Sequence, residues 1–230
     1  MTRTFLGLCG VVFALCVISG HVGVPLFSGQ FAVSTTLRFG GLAGSLGLAE
    51  PWRYLSAVFV HANLVHLAMN GIWMFSMGQL VESEVGKARF VILFVLTGVL
   101  GFVVSDVYGH FMGPPTVGAS GAVFGLFGGA LGSAYARRDP NWSQLLVRNL
   151  VWLLLLSFAA NVNNAAHVGG FVVGALLGYA FAKESRKLKL DVPFAILAGL
   201  VLVACVGSVG LSAAAPIWRL VHADEMSRQY

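Results

Sequence analysis

The sequence predicts an all-α polytopic membrane protein, and three observations carry that expectation. Hydrophobic residues make up 57% of the 230 residues and charged ones 10%, with a mean hydropathy of +0.84, whereas soluble domains are about 25% charged. The apolar residues gather into runs close to the roughly 20 residues that a spanning helix needs. Seven such runs can be placed, at Phe5 to Phe27, Leu55 to Val81, Phe90 to Phe111, Gly118 to Ala136, Leu145 to Val162, Ala165 to Ala182 and Val192 to Ala215. The basic residues are distributed around those runs. With the N-terminus in the cytoplasm, the inner segments hold Arg3, Lys87, Arg89, Arg137, Arg138, Arg148, Lys183, Arg186, Lys187 and Lys189, which is 10 of the 14 Lys and Arg. The outer segments hold only Arg38, Arg53, Arg219 and Arg228, so the positive-inside rule predicts an N-in, C-out multi-pass protein. A bacterial inner membrane is the expected location. The net charge of +5 and pI near 9.4 follow from this topology and form no single basic patch, so no nucleic-acid partner is expected.

The first run reads as a retained helix: Arg3 precedes it, but it is long and lacks a small-residue cleavage site. Cys9, Cys16 and Cys205 all lie in apolar runs and are odd in number, which is no disulfide framework. The connection Gln30 to Tyr54 is too apolar for a plain linker. Its Leu37, Phe39, Leu42, Leu46 and Leu48 are expected half-sunk in the outer interface, with Trp52 and Tyr54 at the headgroup level.

The second run carries His61, His66 and Asn70. His66 and Asn70, four apart, share a helix face. Polar groups in hydrocarbon are costly and normally face a bundle interior or a wet cavity; one reading is an interhelical hydrogen-bond clip. A metal site at His61 and His66 is not expected, because the five-residue spacing splays the rings and no carboxylate or cysteine completes the shell. Next, Glu82 and Glu84 can pair with Lys87 and Arg89 in an inner connection. The third run holds Asp106, either an interfacial residue, the favoured reading, or a polar partner for the site, and His110, and Gly113-Pro114-Pro115 breaks any helix after it.

The fourth run opens with Gly118-Ala119-Ser120-Gly121. Gly121, Gly125 and Gly129 then recur every four residues, and in the sixth run Gly170, Gly174 and Gly178 do the same behind His167. Helices with a face of small residues pack closely. Packed with their outer ends level, these two would bring Ser120 and His167 together. Under the N-in topology the second, fourth and sixth helices all start outside, so His66, Asn70, Ser120 and His167 converge on one membrane level. The fifth run has no polar group in its middle, and the link Asn161-Val162-Asn163-Asn164 after it is short and polar. The basic run Lys183 to Lys189 holds the inner surface, the seventh run is free of ionisable residues, and the tail from Ile217 to Tyr230 is short and mixed in charge. His21 and His222 receive no role.

This pattern suits acyl transfer. A serine hydroxyl needs a base, and a neutral imidazole can serve, which makes Ser120 and His167 a candidate nucleophile and base. The oxyanion formed on attack needs preorganised donors; the Asn70 amide, a His66 ring N–H and the Ser120 backbone N–H are candidates, helped by the positive end of the helix starting at Ser120. Gly118 and Gly121 leave room for a substrate backbone. No acidic residue is positioned to orient His167, so a dyad is expected, in a water-filled pocket opening outward. Its cover is expected around Asn161 to Asn164 and Gln30 to Tyr54.

These residues resemble the rhomboid intramembrane serine proteases. The resemblance runs from about Pro51 to Gly178 and rests on Trp52-Arg53, His61-Ala62-Asn63-Leu64-Val65-His66-Leu67-Ala68-Met69-Asn70, Glu82 with Gly86, Gly118-Ala119-Ser120-Gly121, and Ala166-His167 followed by Gly170 and Gly174. It implies Ser120 as nucleophile, His167 as general base, and His66, Asn70 and the Ser120 backbone as oxyanion hole. It also implies a six-helix core, no metal or cofactor, and substrates that are transmembrane helices cut near their outer end. In the family the residue four after the serine packs on the histidine; Phe124 stands there, so stacking survives and the hydroxyl of members with tyrosine is absent. Gly118, Gly121, Phe124 and Gly170 are accordingly the supporting residues.

The implied organisation is a single membrane domain with a six-helix rhomboid-like core at 5–182. A cytoplasmic basic loop at 183–191, an extra seventh helix at 192–215 and a short outer tail at 216–230 follow. The departures are that seventh helix and the lack of a soluble N-terminal domain. The runner-up is a non-catalytic relative that binds transmembrane clients, against which the intact Ser120 and His167 speak. A transporter lacks its membrane-central acid or broken-helix repeat, and a soluble hydrolase lacks the full nucleophile-elbow pattern and its strand.

Overall fold

The computed structural model describes residues 1–19, 27, 29–44, 46–109, 115–157, 163–184 and 191–228. Within them the chain is helical: α1 (Thr2–Ser19), α2 (Val33–Phe39), α3 (Leu46–Ala49), α4 (Arg53–Ser56), α5 (Leu64–Val85), α6 (Lys87–Val107), α7 (Ser120–Ala136), α8 (Trp142–Ser157), α9 (Asn164–Lys183), α10 (Asp191–Ala214) and α11 (Ile217–Ser227). Among the described residues the only β pairing is one isolated bridge between Leu42 and Thr116. This is an all-α integral membrane protein. Helices α1, α5, α6, α9 and α10 are long and apolar enough to span a bilayer.

The expected fourth span is present but short. Its 17 residues make a rod of about 25 Å, less than the roughly 30 Å hydrocarbon core. Helix α7 compensates by burial: Gly121 through Ser133 are all enclosed, by α5, α6, α8 and α9. The fifth expected span corresponds to α8, and its last residues, with Asn161 and Val162 of the link, lie outside the described residues. So do His21, His110, Gly113, Pro114 and the basic residues after Glu184 up to position 190.

The second span departs from expectation. Instead of one helix from Leu55, the chain makes the short α4, an irregular stretch through Ala57, Val58, Phe59 and Val60, all fully buried, and then α5. Asn63 causes the late start. Its extended backbone (φ −160°) and its Oδ1, which accepts from the His66 N–H at 2.8 Å, form an N-cap that fixes the first turn of α5. The buried stretch is held from the other side by α1 and α6, with Phe59 stacked on Phe5 at 6.1 Å and Phe5 on Phe94 at 4.4 Å.

The connection before it is folded rather than half-sunk at the surface. Leu37, Phe39 and Leu42 are buried, whereas Leu48 is 81% exposed. Arg53, counted above among ordinary outer charges, is fully buried. Its Nε donates to Glu50 at 2.6 Å, and its Nη1 donates to the carbonyls of Leu37 at 2.7 Å and Gly41 at 3.1 Å. A buried guanidinium requires such partners, and their placement closes the connection on itself. Asp106 is a buttress and not a free interfacial charge: it accepts from the Tyr54 hydroxyl. Burial, that bond and the carboxylate charge push the Tyr54 phenol up to about 12.

The connection between α5 and α6 also differs from expectation. Glu82 binds the amino terminus of Met1 at 2.7 Å and the Thr2 hydroxyl at 2.8 Å. Glu84 faces Arg137 at 3.7 Å. Arg89 pairs with Glu184 at 2.5 Å and Asp191 at 2.8 Å, tying α6 to the ends of α9 and α10. The tail forms α11, which lies on α2: the Ser34 hydroxyl donates to Glu225 at 2.5 Å, and Arg38 stacks over Trp218 at 4.6 Å.

Candidate active site

The site follows from how closely α7 and α9 pack. A Cβ on Gly170, Gly174 or Gly178 would collide with the backbone carbonyl of Gly121, Gly125 or Gly129 respectively. The helices therefore run parallel with a register set one glycine pair at a time, as small-residue membrane interfaces allow. The geometry adds two things to the sequence pattern. Missing side chains at Gly125 and Gly129 also make room for Thr97 and Leu93 of α6, and Gly128 and Gly132, outside the four-residue series, face the backbone of α9. Helix α7 is thus approached closely from two sides.

This register brings the first residue of α7 against the first turns of α9. Ser120 Oγ and His167 Nε2 are 2.8 Å apart. His167 is only 6% exposed. The Phe124 ring, one turn into α7, lies 4.4 Å from the imidazole at an interplanar angle of 31° and restricts how it can tilt. His167 Nδ1 is buried and has no hydrogen-bond partner among the described residues. Among the described residues no carboxylate therefore holds the ring from behind, and Asp106 is engaged with Tyr54.

The start of α9 is held by a residue of the polar link that precedes it. Asn163 is the N-cap: its Oδ1 accepts from the Ala166 N–H at 3.0 Å and from the Ser105 hydroxyl of α6 at 2.8 Å. One side chain thus fixes the helix that carries His167 to the neighbouring α6. An Asn just ahead of an apolar run is a recognised helix-start signal, and it was available in the sequence.

Around the serine, the α7 N-terminus has no side-chain cap, so its first N–H groups point outward without intrahelical partners. Gly118 adopts φ +121°, a region that side-chain-bearing residues rarely enter. Its N–H donates to the Ala57 carbonyl at 2.9 Å, and a Cβ there would come within 2.6 Å of the His66 ring. Glycine is needed at this position on both counts. His66 therefore lies directly against the loop that delivers Ser120.

The His61 ring meets His66 edge-on at 5.1 Å. His61 itself is fully buried, with Nδ1 3.2 Å from the Phe59 carbonyl, and it packs behind His66. Asn70 is 6% exposed, and its amide donates to the His66 carbonyl at 3.0 Å. One of its two N–H groups is thus spent within α5. The structure brings Ser120, His167, Phe124, Gly121 and Gly170 into one cluster and His66 with Gly118 beside it, and it seats Asn70 one turn along α5. Among the described residues no group of three His, Cys, Asp or Glu could hold a metal.

Chemically, an alcohol in hydrogen-bond contact with an unencumbered imidazole nitrogen can pass its proton to that nitrogen as it attacks an acyl carbon. Comparison with known proteins bears on the family. A family model described as the Rhomboid domain matches residues 48–184. The chain is 29% identical over 209 residues to Rhomboid protease GluP of Bacillus subtilis (strain 168), covering 85% of this chain and 39% of GluP. It is 37% identical over 139 residues to RHOMBOID-like protein 4 of Arabidopsis thaliana, covering 56% of this chain and 34% of that protein. Over 148 residues it is 30% identical to Rhomboid protease GlpG of Salmonella newport (strain SL254), covering 60% of this chain and 51% of GlpG. The chain thus spans between 34% and 51% of the length of the latter two relatives, and 39% of GluP. The domain match takes in α4 through α9 with the whole Ser120–His167 cluster, more than half of the sequence, and this chain belongs to the rhomboid family.

Proposed function

We propose that this protein is an intramembrane serine endopeptidase that hydrolyses peptide bonds of transmembrane-helix substrates through a Ser120–His167 dyad. The observation that carries the reading is the 2.8 Å contact between Ser120 Oγ and His167 Nε2 under the Phe124 ring.

In the proposed cycle Ser120 Oγ bonds to the scissile carbonyl carbon while its proton passes to His167 Nε2. The carbonyl oxygen becomes an oxyanion, met by the Ser120 backbone N–H, the Asn70 amide and His66. The C–N bond then breaks, and the leaving amine takes the proton from His167. A water molecule, deprotonated by the same nitrogen, then bonds to the acyl carbon; the ester C–O bond breaks, the carboxylic acid product leaves, and His167 Nε2 returns the proton to Ser120 Oγ. Gly121 and Gly170 support the reading by keeping backbone close to backbone around the reacting atoms, and Gly118 by leaving room for the His66 ring.

The proposed organisation keeps a core at 5–182, the inner loop at 183–191, the seventh helix at 192–215 and the tail at 216–230. It places the amino terminus in the cytoplasm of a bacterial inner membrane and the cut near the outer face.

The test is cleavage of a model transmembrane substrate by the full chain in a lipid bilayer. Ser120→Ala and His167→Ala should each fall to the uncatalysed background while the protein remains folded. Wild-type cleavage by either variant would sink the proposal, and an inert wild type would favour a client-binding relative. Asn70→Ala should lower kcat by about 10²–10³ with a much smaller change in KM, as for a lost oxyanion donor. A rise in KM alone would instead assign Asn70 to substrate binding.

A further inference from the structure

At the far end of α7 and α9 from Ser120 and His167, a cavity of about 360 Å³ is lined by Tyr135, Ala136, Arg138, Asp139, Pro140, Trp142, Tyr179 and Lys183. We propose that this cavity binds the phosphate-bearing headgroup of an anionic phospholipid from the surrounding bilayer. The proposal does not depend on the catalytic reading.

Three observations carry it. The first is position. Helices α7 and α9 are parallel, so their C-terminal ends lie together at the membrane surface opposite the dyad. Tyr135 and Tyr179, 55% and 41% exposed, stand there with Trp142, whose ring meets Tyr135 edge-on at 5.1 Å. Such amphipathic rings settle at the headgroup level.

The second is charge. Arg138 and Lys183 both reach this cavity, and neither takes an ion pair or side-chain hydrogen bond among the described residues. Lys183 Nζ merely lies 6.0 Å from the Tyr179 ring. The one acid in the wall, Asp139, turns Oδ1 to its own turn and accepts from the Asn141 N–H at 2.8 Å. Basic pockets between membrane helices suit phospholipid headgroups.

The third is backbone conformation. Arg138 is the sole non-glycine residue at positive φ (58°) among the described residues. It occupies the position after the C-cap of α7, where glycine is usual. A side chain there is disfavoured relative to glycine, so the helix end alone gives no reason for arginine. A guanidinium held at the mouth of an aromatic cavity does.

The test reconstitutes the full chain into phosphatidylcholine bilayers containing a minor fraction of phosphatidylglycerol, then counts retained lipid on the extracted protein by native mass spectrometry. Phosphatidylglycerol should be retained in preference to phosphatidylcholine. Lys183→Gln and Arg138→Gly should each weaken that retention about fivefold. Arg138→Gly separates ligand from scaffold, because it should raise thermal stability while lowering lipid retention. Arg3→Gln, an exposed cation outside the cavity, should leave retention unchanged. Equal losses from Arg3→Gln, or wild-type retention in the two cavity variants, would overturn the proposal. Displacement of the lipid by inorganic phosphate would assign the site to free phosphate and overturn it as well.

Discussion

Helices α9 and α10 are both glycine-containing membrane spans, yet their glycines do opposite work. In α9, a methyl group on Gly170, Gly174 or Gly178 would strike the backbone of α7; in α10, a Cβ on Gly199, Gly207 or Gly210 would meet nothing within 4 Å. The first set defines an interface and, through its register, the distance from Ser120 to His167. The second lies on a helix attached by sparse contacts, such as Ser212 to Ser56 at 3.2 Å, and largely open to lipid. Composition is thus a poor guide to function in a membrane helix; what matters is whether another backbone occupies the space a side chain would need.

The largest expected effect breaks this comparison directly. Gly174→Ala should push α7 and α9 apart, destabilise the bundle by about 1–3 kcal/mol and cut substrate cleavage well beyond what that stability loss explains. Gly207→Ala, the same change in α10, should leave cleavage unchanged and alter stability by no more than about 1 kcal/mol, in the stabilising direction. Thermal unfolding and cleavage measured side by side decide the matter; equal behaviour of the two variants would remove the claimed distinction.

A second, smaller effect sharpens the role of α9. Asn163→Ala removes the cap and the Ser105 bond and should cost about 1 kcal/mol, with a fall in kcat because His167 loses its fixed approach. Asn163→Asp keeps an oxygen for both donors and should restore most of the stability; failure of that rescue would mean the cap is not the reason Asn163 matters. The smallest effect belongs to the periphery. Trp218→Ala loosens α11 from Arg38 and should cost about 0.5–1 kcal/mol with cleavage intact. A large catalytic defect there would show that the tail, through α2, controls the site.

Much of this was legible because the relevant signals are local. Ser120 ahead of Gly121, Gly125 and Gly129, and His167 ahead of Gly170, Gly174 and Gly178, state a pairing in the sequence itself, since a four-residue spacing marks one face of a helix. The signals at Gly128, Gly132 and Asn163 were present too but weaker: the first two fall outside the repeat, and a helix cap looks like any polar loop residue until its partner is known.

Other features were not legible in the sequence because they depend on distant partners. Arg53 read as an outer charge, and only the carbonyls of Leu37 and Gly41 with Glu50 make it a buried fastening. The apolar run from Leu55 looked like the start of a helix, because hydropathy measures burial and is blind to backbone conformation; Asn63 and the packing of α1 and α6 decided that it folds as an irregular buried stretch.

The sequence by itself determined a many-helix membrane protein and which helix faces are bare enough to pack backbone to backbone. These follow from side-chain transfer energies and from residue spacing, which act over one or two turns. Only the tertiary structure decided that α7 is too short to span alone and is enclosed from Gly121 through Ser133, that His66 seats on Gly118, and that Arg89 and Glu82 choose partners far along the chain. Those outcomes depend on which groups remain unpaired once the helices meet.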